Sequence, residues 1–211
     1  MKEIIIYQSN NPIRIYKFAL KSLFKNKFRI KGDKKICRES KGVFYIPYYK
    51  KESVVNISKN NFIPNFNYDL IRKKGNKQMI TESKYYSKMF LKNKKLQKVI
   101  SLLKKDRSNK KAIISLNLPS RLLNDKLPPC MMYIAFRIIN KKLNLSCHMR
   151  VNNAYGIFLM NLHINQALHI YASKLLKLKV GNYCHFVDSL HIYKKEEKEV
   201  KKFNIKLTTI K

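Results

Sequence analysis

The stretch LPPCMMYIAFRIINKKLNLSCHMR, from Leu127 to Arg150, decides how the chain folds. Met131 to Ile139 and Leu143 to Met149 are rich in apolar, β-branched and aromatic residues, and the polar spacer Asn140-Lys-Lys142 between them predicts an antiparallel hairpin. Two prolines stand directly before Cys130, so its thiol is predicted at the edge of the first hairpin strand, on backbone with little freedom. A lone cysteine is most often a small buried hydrophobe. The company of this one changes that reading: Arg150 ends the hairpin, Asn161 lies eleven residues further on, and His191-Ile-Tyr193 follows the last predicted strand.

Outward from the hairpin, Leu162 to Leu178 has a helical period built on Leu162, Ala167, Leu168, Tyr171, Ala172, Leu175 and Leu176, and is expected to be the longest amphipathic helix. Asn182 to Val187 predicts a further strand. Upstream, Lys111 to Asn117 predicts a buried strand, and Leu91 to Lys105 a helix that the Asp106-Arg-Ser-Asn109 cluster ends. Ile13 to Phe24 predicts an amphipathic helix, and Gly42 to Tyr49 a strand. Residues 56–80 carry no sustained period and predict a long surface segment. Strands mixed with helices in this order, including a hairpin, give an α/β or α+β domain whose mixed sheet is packed with helices. One domain is expected over residues 1–211, with 55–90 irregular and 194–211 a short basic tail.

The chain's 211 residues are 45% hydrophobic and 27% charged, which suits one globular core and excludes a disordered tail. Forty-six Lys and Arg against twelve Asp and Glu give a formal charge of +34. Such a surface repels itself unless polyanions screen it, so nucleotides, RNA or DNA, or an anionic surface are expected partners. No apolar run approaches the roughly 18–20 residues that cross a bilayer, and the opening lacks the order of a signal peptide. The expected location is the cytoplasm, or the interior of an organelle with its own AT-rich genome, with no membrane partner. Cys37, Cys130, Cys147 and Cys184 have no disulfide or zinc-like spacing, so no metal site is expected. Cys147-His148 and Cys184-His185 are strand neighbours that face opposite sides, and His163 and His169 are expected to pack within the long helix. The basic runs Lys92 to Lys98 and Lys194 to Lys202 are expected to be solvated faces.

Cys130, Arg150, Asn161, His191 and Tyr193, at these separations, resemble the thymidylate synthase family from about Leu96 to Tyr193. The resemblance implies that Cys130 is the nucleophile, that Arg150 binds phosphate, and that His191 and Tyr193 bind the deoxyribose hydroxyl. Asn161 stands where uracil-acting members carry an amide and cytosine-acting members a carboxylic acid, which implies a uracil nucleotide such as dUMP. The chemistry needs these types: a thiolate added across C6 of a pyrimidine turns C5 into an enolate-like carbon that attacks a one-carbon electrophile. Lys110 and Lys111 stand where the family has paired arginines that reach the phosphate in the other subunit's site, which implies a homodimer. Lysine there keeps the charge but loses the bidentate fork. Arg38 corresponds by its place before a strand to the arginine of the family's mobile loop, or is a surface arginine. Methylenetetrahydrofolate is the implied one-carbon donor.

Several positions depart from the family. Val151 replaces a phosphate-binding Ser, Asn153 an Asp that contacts the folate, Ile157 a Gly, Leu159-Met160 a Pro-Phe pair, and Met131 a His. No counterpart of the acidic helix segment is visible, and Glu39, Glu52, Asp69 and Glu82 are the upstream acids on offer. Three functions are therefore expected in order: methylation of dUMP to dTMP, hydroxymethylation of dUMP, and a catalytically inactive relative that serves as a basic nucleic-acid-binding or ribonucleoprotein component.

Overall fold

The computed structural model describes residues 4–26, 29–30, 36–47, 55–58, 61–64, 80–81, 83–116 and 129–202. Its centre is a seven-stranded mixed sheet of order β1-β3-β9-β8-β7-β6, with β2 paired to β3. The strands are β1 (Ile4–Gln8), β2 (Arg29–Ile30), β3 (Ile36–Ile46), β6 (Ile113–Ser115), β7 (Met131–Ile139), β8 (Lys142–Asn153) and β9 (Lys179–Tyr193). The helices are α1 (Pro12–Phe24), α2 (Lys95–Lys105) and α3 (Phe158–Leu175), with a π-helical turn, Ser87–Lys92, before α2. α1 and α2 both pack against α3, so the three helices share one face of the sheet.

Asn11 caps α1 by accepting the Ile13 N–H at 2.9 Å, and Pro12 supplies a fixed φ at the first turn. The helix buries Ile15, Tyr16, Ala19, Leu20 and Leu23. The Tyr16 hydroxyl donates to the Tyr155 carbonyl at 3.2 Å and ties α1 to the turn before α3. The hairpin β7–β8 forms as the sequence predicts, but its turn is the two residues Asn140-Lys141, both at positive φ, and Lys142 pairs with Ile139. Left-handed backbone at both central positions matches the right-handed twist of the strands.

α3 connects the parallel strands β8 and β9 and corrects the sequence expectation twice. It starts at Phe158, not Leu162, and its first three turns are buried all round, His163, Asn165, Gln166 and His169 included. A helix enclosed on every side need not be amphipathic. β9 runs far beyond Asn182 to Val187 because β3 and β8 pair with it on both edges. Gly181 lies within β9, where a Cβ would come within 2.5 Å of the Leu143 carbonyl oxygen.

Other boundaries move for similar reasons. β3 begins at Ile36, and the predicted end at Tyr48 and Tyr49 lies outside the described residues. β6 is an edge strand with Ile113 turned outward, not a buried one. β1, which the sequence reading passed over, pairs in parallel with β3. Within 56–80, β4 (Val55–Ser58) and β5 (Asn61–Pro64) form an antiparallel hairpin, with Ile57 packed on the core. Of the expected basic tail, Lys194–Glu196 is a 3-10 turn and 197–202 a helix whose Val200 is fully buried, and 203–211 lie outside the described residues.

Candidate active site

β8 is the hub of the site. At its upstream edge Met131 pairs with Met149, which sets Cys130 beside Arg150. The Arg150 N–H donates to the Cys130 carbonyl at 2.9 Å, and the Arg150 Nε donates to the Pro129 carbonyl at 3.3 Å. The hairpin thus sets a half-buried thiol on backbone that Arg150 holds through two carbonyls. The other thiols differ. Cys37 and Cys147 are fully buried, and burial pushes Cys147 well above the usual thiol range and raises Cys184. Those two are protonated at neutral pH and poor nucleophiles.

Two residues past Arg150, Asn152 is fully buried and receives the Asn161 Nδ2 at 3.4 Å on its Oδ1. Asn161 lies in the first turns of α3, and its Oδ1 accepts the Tyr86 hydroxyl at 3.2 Å. Asn152 passes the chain on to the Met149 sulfur at 3.1 Å. A primary amide offers two N–H donors and two acceptor lone pairs. Among the described residues one of each is used, which leaves one donor and one acceptor on Asn161.

At the end of β8, Asn153 stands in register with His191 of β9, and the Ala154 N–H donates to the His191 carbonyl at 2.8 Å. His191 is buried, and its ring meets that of Tyr193 edge-on with centroids 4.7 Å apart. Arg150, Asn161, His191 and Tyr193 therefore collect at the C-terminal ends of two parallel strands and the start of the helix between them. That is where α/β sheets characteristically bind ligands. Glu39 of β3 pairs with His191, so of the acids weighed it is the one the fold brings alongside; Glu52, Asp69 and Glu82 lie outside the described residues.

Three of the predicted residues lie away from this chain's own cluster, Lys110 and Lys111 being those that the resemblance assigns to the other subunit's site. Lys110 and Lys111 are exposed in the turn before β6. The Ala112 carbonyl there accepts from Phe136, six residues along β7 from Cys130, a separation of roughly 20 Å at strand rise. Arg38 turns its guanidinium to the carbonyls of Phe24 and Asn26 and to Glu197, whose carboxylate it meets at 3.0 Å. It fastens the end of α1 to the helix after β9.

Tyr86, Asn152 and Glu196 were missed. Tyr86 precedes the π-helical turn and stacks on Phe90 across it, with centroids 5.5 Å apart; π-helical turns break the regular period and favour functional positions. The Tyr86 and Glu196 contacts join segments far apart in sequence, which no periodicity reports. Among the described residues no group of three or more His, Cys, Asp or Glu could hold a metal ion. Nor is any helix among them long and apolar enough to cross a membrane. At the position where folate contact is implied, Asn153 turns both ends of its amide inward: Nδ2 donates to Glu196, and Oδ1 accepts the Gly156 N–H at 2.6 Å. This side chain does not fit the acceptor role a carboxylate would play toward folate.

The family described as thymidylate synthase matches residues 72–208, well over half of the chain.

Proposed function

The chain belongs to the thymidylate synthase family, and from that premise we propose that it is an enzyme that transfers one carbon to C5 of dUMP. The observation that carries the proposal is the hairpin junction, where Arg150 binds the backbone on both sides of the Pro129-Cys130 peptide link. A cation beside a thiol favours the thiolate, whose unperturbed pKa near ~8.5 leaves only a few per cent ionised at neutral pH. The same guanidinium presents a planar fork to the nucleotide phosphate. Cys130 Sγ adds to C6, and the spare N–H and lone pair of Asn161 match uracil O4 and N3–H. His191 and Tyr193 take the sugar side.

Methylenetetrahydrofolate, the donor the family uses, supplies the one-carbon unit when bound. Asn153, with its amide turned to Glu196 and Gly156, does not serve as a folate contact. Methyl and hydroxymethyl products share every step assigned to these residues and differ only in whether hydride or water captures the exocyclic methylene. A homodimer is part of the proposal. The sheet face opposite the helices has no covering helix among the described residues, and by register it presents Ile4, Ile6, Phe186, Tyr133 and Ile113 together. Ile6 is 71% exposed. A sheet face that exposes these apolar residues, with Lys41 and His148 among them, suits a second copy.

The test is covalent trapping: 5-fluoro-dUMP with methylenetetrahydrofolate should give a protein adduct by mass spectrometry, and Cys130→Ser should abolish it. No adduct with the wild-type chain defeats the enzymatic reading.

A second reading, an inactive nucleic-acid-binding relative, is favoured by one surface. From Lys92 to Lys111 the exposed side chains include Lys92, Lys94, Lys98, Lys104, Lys105, Arg107 and Lys110, with Asp106 the sole acid in that span. Lys95, Lys98 and Lys111 rim a groove of about 410 Å³ between α2 and β6, floored by Val99, Leu102 and Ile113. If it binds RNA or DNA, log affinity should fall with log salt at a slope of about −0.7 per phosphate on single strands. Binding that is absent even at about 50 mM salt ends this reading.

A further inference from the structure

We propose that Glu196 is a positioning residue that locks the two nucleotide-recognising segments of the site together. This rests on the reading of Asn161, His191 and Tyr193 as nucleotide contacts. The Glu196 carboxylate accepts the Asn153 Nδ2 on both oxygens, at 3.1 and 3.0 Å, and the Tyr193 backbone N–H at 3.0 Å. Both donors lead into recognition. On one side, the Asn153 Oδ1 accepts the Gly156 N–H at 2.6 Å and its carbonyl accepts the Ile157 N–H at 3.2 Å, while the Ile157 carbonyl accepts the Asn161 N–H at 3.0 Å. On the other side, Tyr193 is the anchored residue itself and His191 packs against its ring.

One carboxylate from the segment that sequence reading treats as a solvated tail thus fixes the entry to α3 and the exit of β9. It also accounts for a departure. An Asp at 153 would set two carboxylates about 3 Å apart, where both cannot stay ionised; an amide there donates instead. Asn153 and Glu196 are a matched pair, and the amide at 153 follows from the acid at 196. The charged and titratable groups on the elements joined here are Lys194, Lys195 and Glu197 beside Glu196 in sequence, His191 and Tyr193 on β9, and Glu39 and Arg38 of β3, the last bonded to Glu197. Lys195 Nζ lies 5.9 Å from the centre of the Tyr193 ring.

The experiment has two arms on the full chain. In the first, thermal melts are compared for N153D and N153D/E196Q. N153D should melt lower than wild type, with a deficit larger near pH 8 than near pH 5. The introduced carboxylate raises a folded-state pKa, so stability is kept while the pair holds a proton and is lost as pH rises. N153D/E196Q, with donor and acceptor exchanged, should recover most of the loss. In the second arm, calorimetry with dUMP should show E196A binding roughly tenfold more weakly, the scale of losses when a supporting partner is removed. Lys198→Ala, an exposed neighbour, should bind as wild type. A double variant no more stable than N153D, or E196A binding dUMP as tightly as wild type, overturns the proposal. If the wild-type chain binds no dUMP, the functional reading fails and the melts alone decide whether Glu196 joins the two segments.

Discussion

Helix α3 carries two buried polar clusters made from similar residues, and they have opposite characters. Near its N-terminus, Tyr86, Asn161 and Asn152 form a chain beside Cys130 and Arg150, and Asn161 keeps a donor and an acceptor in reserve. One turn on, the Asn165 Nδ2 donates to the Tyr183 hydroxyl at 2.9 Å, and that hydroxyl meets the His185 Nδ1 at 2.5 Å. The hydroxyl has one proton; accepting from Asn165, it donates to Nδ1, and the imidazole proton is left on Nε2. No partner for that Nε2 is found among the described residues. Burial holds His185 down to about 3 and pushes the Cys147 thiol up. The same residue types that are poised for chemistry at the sheet's end are frozen in their neutral forms one turn deeper. Both sets of amides are buried, and the difference in access lies in the thiols: Cys130 is half-buried where Cys147 is enclosed.

The sharpest break in this comparison is between the cysteines. Cys130→Ser should abolish the 5-fluoro-dUMP adduct. Cys147→Ala should retain it and cost about 1–2 kcal/mol of stability for the buried atoms removed. An adduct mapped by peptide mass spectrometry to Cys147 would invert the assignment.

Acid should attack the buried imidazoles of α3 and β9 first. Burial lowers His163 and His169 to about 4 and His185 to about 3. In the unfolded chain each would titrate near ~6.5. Protons therefore bind the unfolded state first as pH falls below that value, and stability present above it is lost toward the folded values. The loss is about 2 kcal/mol per imidazole between pH 7 and pH 5, at roughly 1.4 kcal/mol per pH unit and proton. This precedes most carboxylate titration. A urea midpoint that does not move between those pH values would show that the imidazoles are not neutral and enclosed.

Single polar changes should divide cleanly between the clusters. Asn161→Asp presents a carboxylate to uracil O4 and should weaken dUMP binding by roughly ten- to a hundredfold, or about 1–3 kcal/mol. It should also narrow or reverse the preference over dCMP. Tyr183→Phe strands Asn165 and His185 and should cost about 1–3 kcal/mol in stability while leaving dUMP affinity unchanged. Calorimetry and urea melts on both variants check the division, and a loss of dUMP affinity in Tyr183→Phe would join the two clusters.

The candidate site was more legible in the sequence than the helix that carries Asn161. Cys130, Arg150, Asn161, His191 and Tyr193 sit at separations that resemble the family's, and strand register draws Cys130 to Arg150 and Asn153 to His191. The hairpin and α1 were legible because their periods match one buried face. α3 was misjudged because burial on all sides removes the contrast that a period needs, and it displaced the predicted start to Leu162. β9 was cut short because Asp188 and Ser189 interrupt its apolar run, although Asp188 faces out and meets His148 at 2.8 Å. Glu196 was invisible: within Lys194 to Lys202 it is one charge among many, and only the folded chain brings it to Asn153.

The smallest expected effect lies at the far end of α3, where neither cluster is touched. The helix stops in a Schellman arrangement: the Leu178 N–H reaches the Ser173 carbonyl at 3.0 Å and the Lys177 N–H the Lys174 carbonyl at 3.1 Å. That closure requires left-handed backbone at Lys177, whose φ is 53°. Glycine is the usual residue there because a Cβ is crowded in this conformation. Lys177→Gly should therefore stabilise the chain by about 1 kcal/mol, the strain relieved outweighing the extra freedom of glycine in the unfolded state. Because α3 is held by packing along its whole length, tightening its last turn should leave dUMP affinity and adduct yield at wild-type values. A melt raised by a few degrees with unchanged binding would place the stability of α3 and its recognition function at opposite ends of one helix. A change in dUMP binding instead would show that the C-terminal turn sets the position of Asn161, more than three helical turns away.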